Sequence, residues 1–142
     1  MPLQYILGNW DFHSIQLKLR PPVFIPRQET EGLVNISVQL LRHVEEPMVL
    51  DVGCGSGAIS LALLNHFPKL NCVALDQSKY AAELTQENAI ELNLSERLRV
   101  VQGKVSDEAF PSLPSSQFDL IVSNPPYVLR KDLIDLQQEI IL

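Results

Sequence analysis

Between residues 13 and 19 apolar and polar side chains alternate, with Ile15, Leu17 and Leu19 set against Ser14, Gln16 and Lys18. That is the period of a half-buried strand, and Pro21 and Pro22 end it. The period then changes. Over residues 29–44, Leu33, Val34, Leu40, Leu41 and Val44 fall near helical spacing, which predicts a helix leading into the main part of the chain. Beyond it, short apolar runs at 48–52, 72–75, 99–102 and 118–122 read as strands. Helices are predicted over 58–67, stopped by Pro68, and from a Ser78 N-cap to about residue 92. A connection containing Pro and Ser at 111–116 precedes the fourth run, and a further helix is predicted to begin near Asp132.

Runs with little alternation, separated by helices, are what a parallel sheet covered on both faces requires. The predicted class is therefore α/β, doubly wound, with a mostly parallel sheet. The chain has 142 residues, 46% of them hydrophobic and 20% charged, enough for one compact domain with a core.

Charge narrows the partners. Seventeen acidic against 11 basic residues leave a net charge of −6, so nucleic acid is a disfavoured partner. The two cysteines, Cys54 and Cys72, have neither the spacing of a metal site nor the density of a disulfide scaffold, which implies a reducing compartment. No apolar run approaches the roughly 20 residues of a membrane span, and the start shows no leader pattern, so a soluble chain with no targeting segment is expected.

Chemistry concentrates at two strand ends. The first is Asp51-Val52-Gly53-Cys54-Gly55-Ser56-Gly57, where the first main strand meets its helix. Glycines there permit a tight turn and a close approach of backbone to ligand, while the helix start offers free N–H groups. A plain structural loop would look similar. Asp76, at the end of the second main strand, is placed to accept hydrogen bonds from ribose hydroxyls, although an acidic strand end can equally be merely solvated. The turn lacks G-x-G-x-x-G spacing, which favours a mononucleoside cofactor over a dinucleotide.

The second is Ser123-Asn124-Pro125-Pro126-Tyr127, directly after the fourth main strand. Two prolines restrict the backbone and push Asn124 toward an extended conformation, so its side chain and the Pro125 carbonyl become fixed acceptors for a planar amino group. A rigid loop with Tyr127 as a packing residue is the bland alternative. An amide nitrogen is a poor nucleophile because its lone pair is delocalised. Two acceptors on its N–H bonds restore electron density, and placement supplies the rest without a strong base.

The Asn-Pro-Pro-Tyr segment, the glycine turn and Asp76 together resemble class I amino methyltransferases. Upstream, Phe24-Ile25-Pro26-Arg27-Gln28-Glu29-Thr30-Glu31 and Pro2-Leu3-Gln4-Tyr5-Ile6-Leu7-Gly8 are similar to segments distinctive of the HemK/PrmC glutamine methyltransferases. The resemblance implies a Rossmann-like fold, S-adenosyl-L-methionine as cofactor, and methylation of the glutamine in the Gly-Gly-Gln loop of a peptide chain release factor. It also assigns roles. Asp51, Gly53, Cys54, Gly55, Ser56, Gly57 and Asp76 would hold the methionine and ribose parts of the cofactor, with Phe24, Pro26 and Arg27 bordering its pocket. Asn124, Pro125, Pro126 and Tyr127 would hold the glutamine, Asn124 also facing the cofactor, and Asn124, Pro125 and Tyr127 would carry catalysis. Arg27, Glu29 and Glu31 could equally form a surface ion-pair cluster.

Three departures from the family pattern stand out. Gln28 replaces a proline of the upstream loop. Gly103-Lys104-Val105 stands where relatives have an acidic residue followed by an aromatic, leaving Val105 as the adenine contact. Relatives also carry an N-terminal helical domain and further strands, so the chain is expected to be partial, ending after the fourth main strand. Residues 1–28 would form a β-hairpin and the loop after it, and 29–142 a partial catalytic domain. Gly8-Asn9-Trp10-Asp11-Phe12 resembles the mitochondrial animal branch, with the cytoplasm as the alternative compartment. Two rival functions share these motifs: methylation of an exocyclic amine on adenine or guanine, and cofactor binding without catalysis.

Overall fold

The computed structural model describes residues 2–103 and 118–123. A short helix α1 (Leu3–Leu7), absent from the periodicity, opens the chain and closes on Gly8, whose left-handed backbone (φ 74) lets its N–H reach the Gln4 carbonyl. Strands β1 (Asn9–Phe12) and β2 (Ile15–Lys18) form an antiparallel hairpin, with Asn9 opposite Lys18 and Phe12 opposite Ile15. Ile15, Leu17 and Leu19 are buried, as their alternation predicts. The hairpin turn is anchored on the next helix. The His13 backbone N–H donates to the Glu31 carboxylate, and the His13 ring meets Asn35 Oδ1 at 2.9 Å.

Helix α2 (Gln28–Leu41) begins one residue before the predicted start and ends three residues before the predicted end. Thr30, Val34, Ser37 and Leu41 form its buried stripe. Leu40 departs from the expectation and is 42% exposed, because successive helical residues stand about 100° apart and Leu41 already occupies the inward direction.

The main sheet contains β3 (Met48–Val52), β4 (Asn71–Asp76), β5 (Leu98–Gln102) and β6 (Leu120–Ser123), all parallel, in the order β5-β4-β3-β6. Between them lie α3 (Ala58–His66) and α4 (Lys79–Glu91), with a 3₁₀ turn at Ser95–Arg97 before β5. Val49, Cys72, Ala74, Leu98, Leu120 and Val122 face one side, in a single core with α3, α2 and the hairpin. Leu50, Val73 and Leu75 are buried on the other. Apolar side chains are buried on both faces of the sheet, so the strands carry little polar alternation.

Every residue from position 58 to 64 is buried, because α3 lies between the sheet and a layer made by α2 and β2. Its end is held from a distance: the Arg97 guanidinium donates to the carbonyls of Leu64, Phe67 and Leu70 at 2.8–2.9 Å. A cation there satisfies orphan carbonyls and complements the helix dipole. Ser78 caps α4 as predicted, its hydroxyl accepting from the Ala81 N–H.

The chain steps from β3 to β4 to β5 in one direction, and β6 then lies on the opposite side of β3. That reversal makes the carboxyl ends of β3 and β6 the topological switch point of the sheet, the position at which open α/β sheets bind ligands. No helix among the described residues is long and apolar enough to cross a membrane. The connection at 111–116 and the helix near Asp132 lie outside the described residues.

Candidate functional site

Beyond Val52 the chain turns sharply, with φ of 76, 58 and 88 at Gly53, Gly55 and Gly57. Side chains with a Cβ rarely adopt this region. The Gly53 and Cys54 N–H groups both donate to the Leu75 carbonyl, at 2.7 and 3.1 Å, tying the turn to the end of β4. Gly57 N–H returns to the Cys54 carbonyl at 2.8 Å, and the Gly57 carbonyl accepts the Leu61 N–H that begins α3.

The three glycines serve different ends. A Cβ on Gly57 would stand 3.0 Å from Thr85 Cγ2 and 3.1 Å from Leu61 Cδ1, so packing as well as φ requires glycine there. A Cβ on Gly53 or Gly55 would meet nothing within 4 Å. These two residues border open space.

Asp76 is joined to the turn. Its Oδ2 accepts the Gly55 N–H at 3.0 Å and its Oδ1 accepts the Ser78 N–H at 2.9 Å, while its carbonyl takes the Gly103 N–H at 2.9 Å. One half-buried carboxylate therefore gathers the ends of β3 and β4 with the start of α4.

Asp51 lies beneath the turn and is 1% exposed. Ser60 Oγ donates to its Oδ2 at 2.6 Å, and Oδ1 is buried without a hydrogen-bond partner. Burial pushes its carboxyl up to about 6; the Ser60 bond opposes the shift and the nearby Asp76 charge adds to it. Cys54 and Cys72 are buried too, and burial followed by the Asp51 charge raises both thiols well above their ordinary range. Neither is built as a nucleophile.

This arrangement fits S-adenosyl-L-methionine on two counts. Open space beside Gly53 and Gly55 admits a ligand against the backbone, and the orphaned oxygen of Asp51 gives the turn negative charge that suits a cationic amino acid moiety. The structure thus brings together Asp51, Gly53, Cys54, Gly55, Ser56, Gly57 and Asp76.

Phe24 and Arg27 follow Val23, which packs against Ala81 and Leu84 of α4. Phe24 is 61% exposed, and Arg27 lines an open cavity of about 760 Å³ with Trp10, Phe12, Pro26, Glu29 and Glu31. All ten lining residues come from positions 4–31, and none from the glycine turn. Val105, Asn124, Pro125, Pro126 and Tyr127 lie outside the described residues. The strand leading to the last four is described: Ser123 pairs with Val52, so the chain enters Asn124 from the position next to the one entering Gly53.

Two residues of the site were missed from sequence. Thr85 and Asn88, fully buried on α4, both donate to carbonyls of the glycine turn. The available signal was their position among Ala81, Leu84 and Ala89, polar side chains within an apolar stripe.

The family model described as methyltransferase small domain matches residues 20–142. Among curated proteins, the human "MTRF1L release factor glutamine methyltransferase" is 45% identical over 99% of this chain and 44% of its own length. A release factor glutamine methyltransferase of Fusobacterium nucleatum is 41% identical over 98% of this chain and 38% of its own length. The chain thus spans less than half of these relatives. Among solved structures, an RNA methyltransferase from Salinibacter ruber in complex with S-adenosyl-L-homocysteine superposes with a TM-score of 0.61 over 80% of this chain and 67% of that one, at 16% identity. The C-terminal domain of precorrin-6Y C5,15-methyltransferase from Rhodobacter capsulatus gives 0.56 over 77% and 55%, at 21% identity. At such identities the likeness speaks for the class I methyltransferase fold alone. Sequence and fold converge, and the chain belongs to the methyltransferase small domain family, with relatives named release factor glutamine methyltransferase.

Proposed function

We propose that this chain is the cofactor-binding part of an enzyme that transfers a methyl group from S-adenosyl-L-methionine to the side-chain amide nitrogen of the glutamine in the Gly-Gly-Gln loop of a peptide chain release factor. The observation that carries this is the turn at the β3 end, with open space at Gly53 and Gly55 and the Asp76 carboxylate bonded to its centre. The names of the relatives support the substrate class.

The cofactor supplies an electrophilic methyl group. In this proposal Gly53, Cys54, Gly55, Ser56 and Gly57 present backbone to its amino acid part, Asp51 offsets the positive charge and Asp76 accepts from the ribose. Val105 borders the adenine, and Phe24 and Arg27 close the rim. Asn124 and the Pro125 carbonyl accept the two N–H bonds of the glutamine amide, and Pro126 and Tyr127 hold its plane. Orientation and fixed dipoles would raise the nucleophilicity of the nitrogen without a strong base, with S-adenosyl-L-homocysteine as the leaving group and the displaced amide proton passing to solvent. The division at residue 28 into a hairpin segment and a catalytic segment belongs to the same proposal. So does a mitochondrial location, which rests on the resemblance of residues 8–12 to the animal branch.

The test is methyl transfer from radiolabelled S-adenosyl-L-methionine to a release factor, its Gln-to-Ala variant, DNA and RNA. Label on the unaltered release factor alone is the expected result. Label on nucleic acid would transfer the assignment to exocyclic amines, and label on none would leave a cofactor-binding protein.

A further inference from the structure

Thr85 and Asn88 stand three residues apart on α4, at 0% and 1% exposure. Thr85 Oγ1 donates to the Gly55 carbonyl at 2.8 Å, and Asn88 Nδ2 donates to the Ser56 carbonyl at 3.0 Å. In a trans peptide the N–H points opposite to the C=O. Holding the Gly55 carbonyl against α4 therefore aims the Ser56 N–H away from α4.

Asn88 does something more. Its second N–H donates to the Lys18 carbonyl at 3.1 Å, and its Oδ1 accepts the Lys18 N–H at 2.8 Å. The carboxamide stands where a neighbouring strand would pair with the outer edge of β2. Two donors and an acceptor on one planar group are needed for this, which Asp, Thr and Leu lack. Exposed ion pairs, Lys18 with Glu91 and Arg20 with Glu87, flank the link without entering it.

We propose that Asn88 is the positioning residue that couples the hairpin to the cofactor turn. One buried carboxamide sets the Ser56–Gly57 peptide plane and the edge of β2 together, so order gained in the turn on cofactor binding is transmitted to Lys18, and order in the hairpin prepares the turn. The inference rests on the proposed function, in which that turn holds the cofactor.

Asn88→Asp keeps the shape of the side chain but sets a carboxylate oxygen against the carbonyls of Ser56 and Lys18. The experiment measures S-adenosyl-L-homocysteine affinity by calorimetry and amide hydrogen exchange at Lys18 and residues 53–57, with and without that ligand. In the unaltered protein, ligand slows exchange in the turn and at Lys18. In Asn88→Asp, affinity falls about tenfold, as for the loss of one net buried hydrogen bond, and Lys18 exchange no longer responds to ligand. Glu91→Ala, which removes only an exposed ion pair, leaves both readouts unchanged. Asn88→Gln, with the same amide on a longer arm, serves if the Asp variant does not fold. Affinity within twofold of the unaltered protein, or an undiminished response at Lys18, overturns the coupling. Should the unaltered protein bind no ligand, the cofactor assignment fails and ligand-free exchange decides alone: faster exchange in both segments of the variant upholds the link, and faster exchange in one segment overturns it.

Discussion

The Ser60 hydroxyl donates to one oxygen of Asp51 at 2.6 Å and leaves the other oxygen of that carboxylate buried with no partner. Burial outweighs the opposing Ser60 bond, so the folded protein holds the Asp51 proton more tightly than the unfolded chain does. Its carboxyl titrates at about 6 against 3.8. With the folded value raised, this group's contribution to stability falls as pH rises through that window, by on the order of 3 kcal/mol in all. Asp51→Asn should flatten this part of the curve and stabilise the ligand-free protein at neutral pH. Denaturant titrations between pH 4 and 7 check it, and parallel curves for the two proteins would remove Asp51 as the cause.

Asp76 holds the Gly55 and Ser78 N–H groups and is proposed to accept from the cofactor ribose. Asp76→Ala should weaken S-adenosyl-L-methionine binding by about 1 to 3 kcal/mol, the usual loss for a charge-assisted hydrogen bond. Calorimetric titration measures this directly. Unchanged affinity would exclude Asp76 from the ribose site.

Gly57 and Gly53 should respond differently to alanine. Gly57→Ala combines a left-handed backbone with contacts at 3.0–3.2 Å to Thr85 and Leu61, so stability should fall by about 2 to 4 kcal/mol. Gly53→Ala meets only the backbone penalty, about 1 to 2 kcal/mol, but places a methyl in the open space beside the turn and should lower cofactor affinity further. Thermal unfolding and calorimetry on both variants separate the effects. Equal losses of stability would contradict the packing assigned to Gly57.

Asn124 follows Ser123, the register partner of Val52. Asn124→Ala should reduce turnover about tenfold or more while leaving cofactor affinity nearly unchanged, because its acceptor acts on the incoming nitrogen. Single-turnover kinetics beside a binding titration show which quantity moves. Parallel losses would assign Asn124 to the cofactor, and unaltered turnover would end the amide-orienting proposal.

Local pattern determined most of the fold. The alternation of Ile15, Leu17 and Leu19, the apolar runs at 48–52 and 72–75, the Ser78 cap and the glycines after Val52 all act within a few residues, and the structure contains each of them. Helical spacing was less exact for Leu40, whose direction depended on which face α2 turned to the core. What tertiary structure alone decided were the links across long stretches of chain: Asp76 to Gly55 across 21 residues, Thr85 and Asn88 to the turn across 30 and 32, Asn88 to Lys18 across 70, and Arg97 to the end of α3. Periodicity records which side of an element avoids water. It carries no record of which distant carbonyl a buried hydroxyl or amide will meet, because that partner exists only after the sheet has brought the strand ends together.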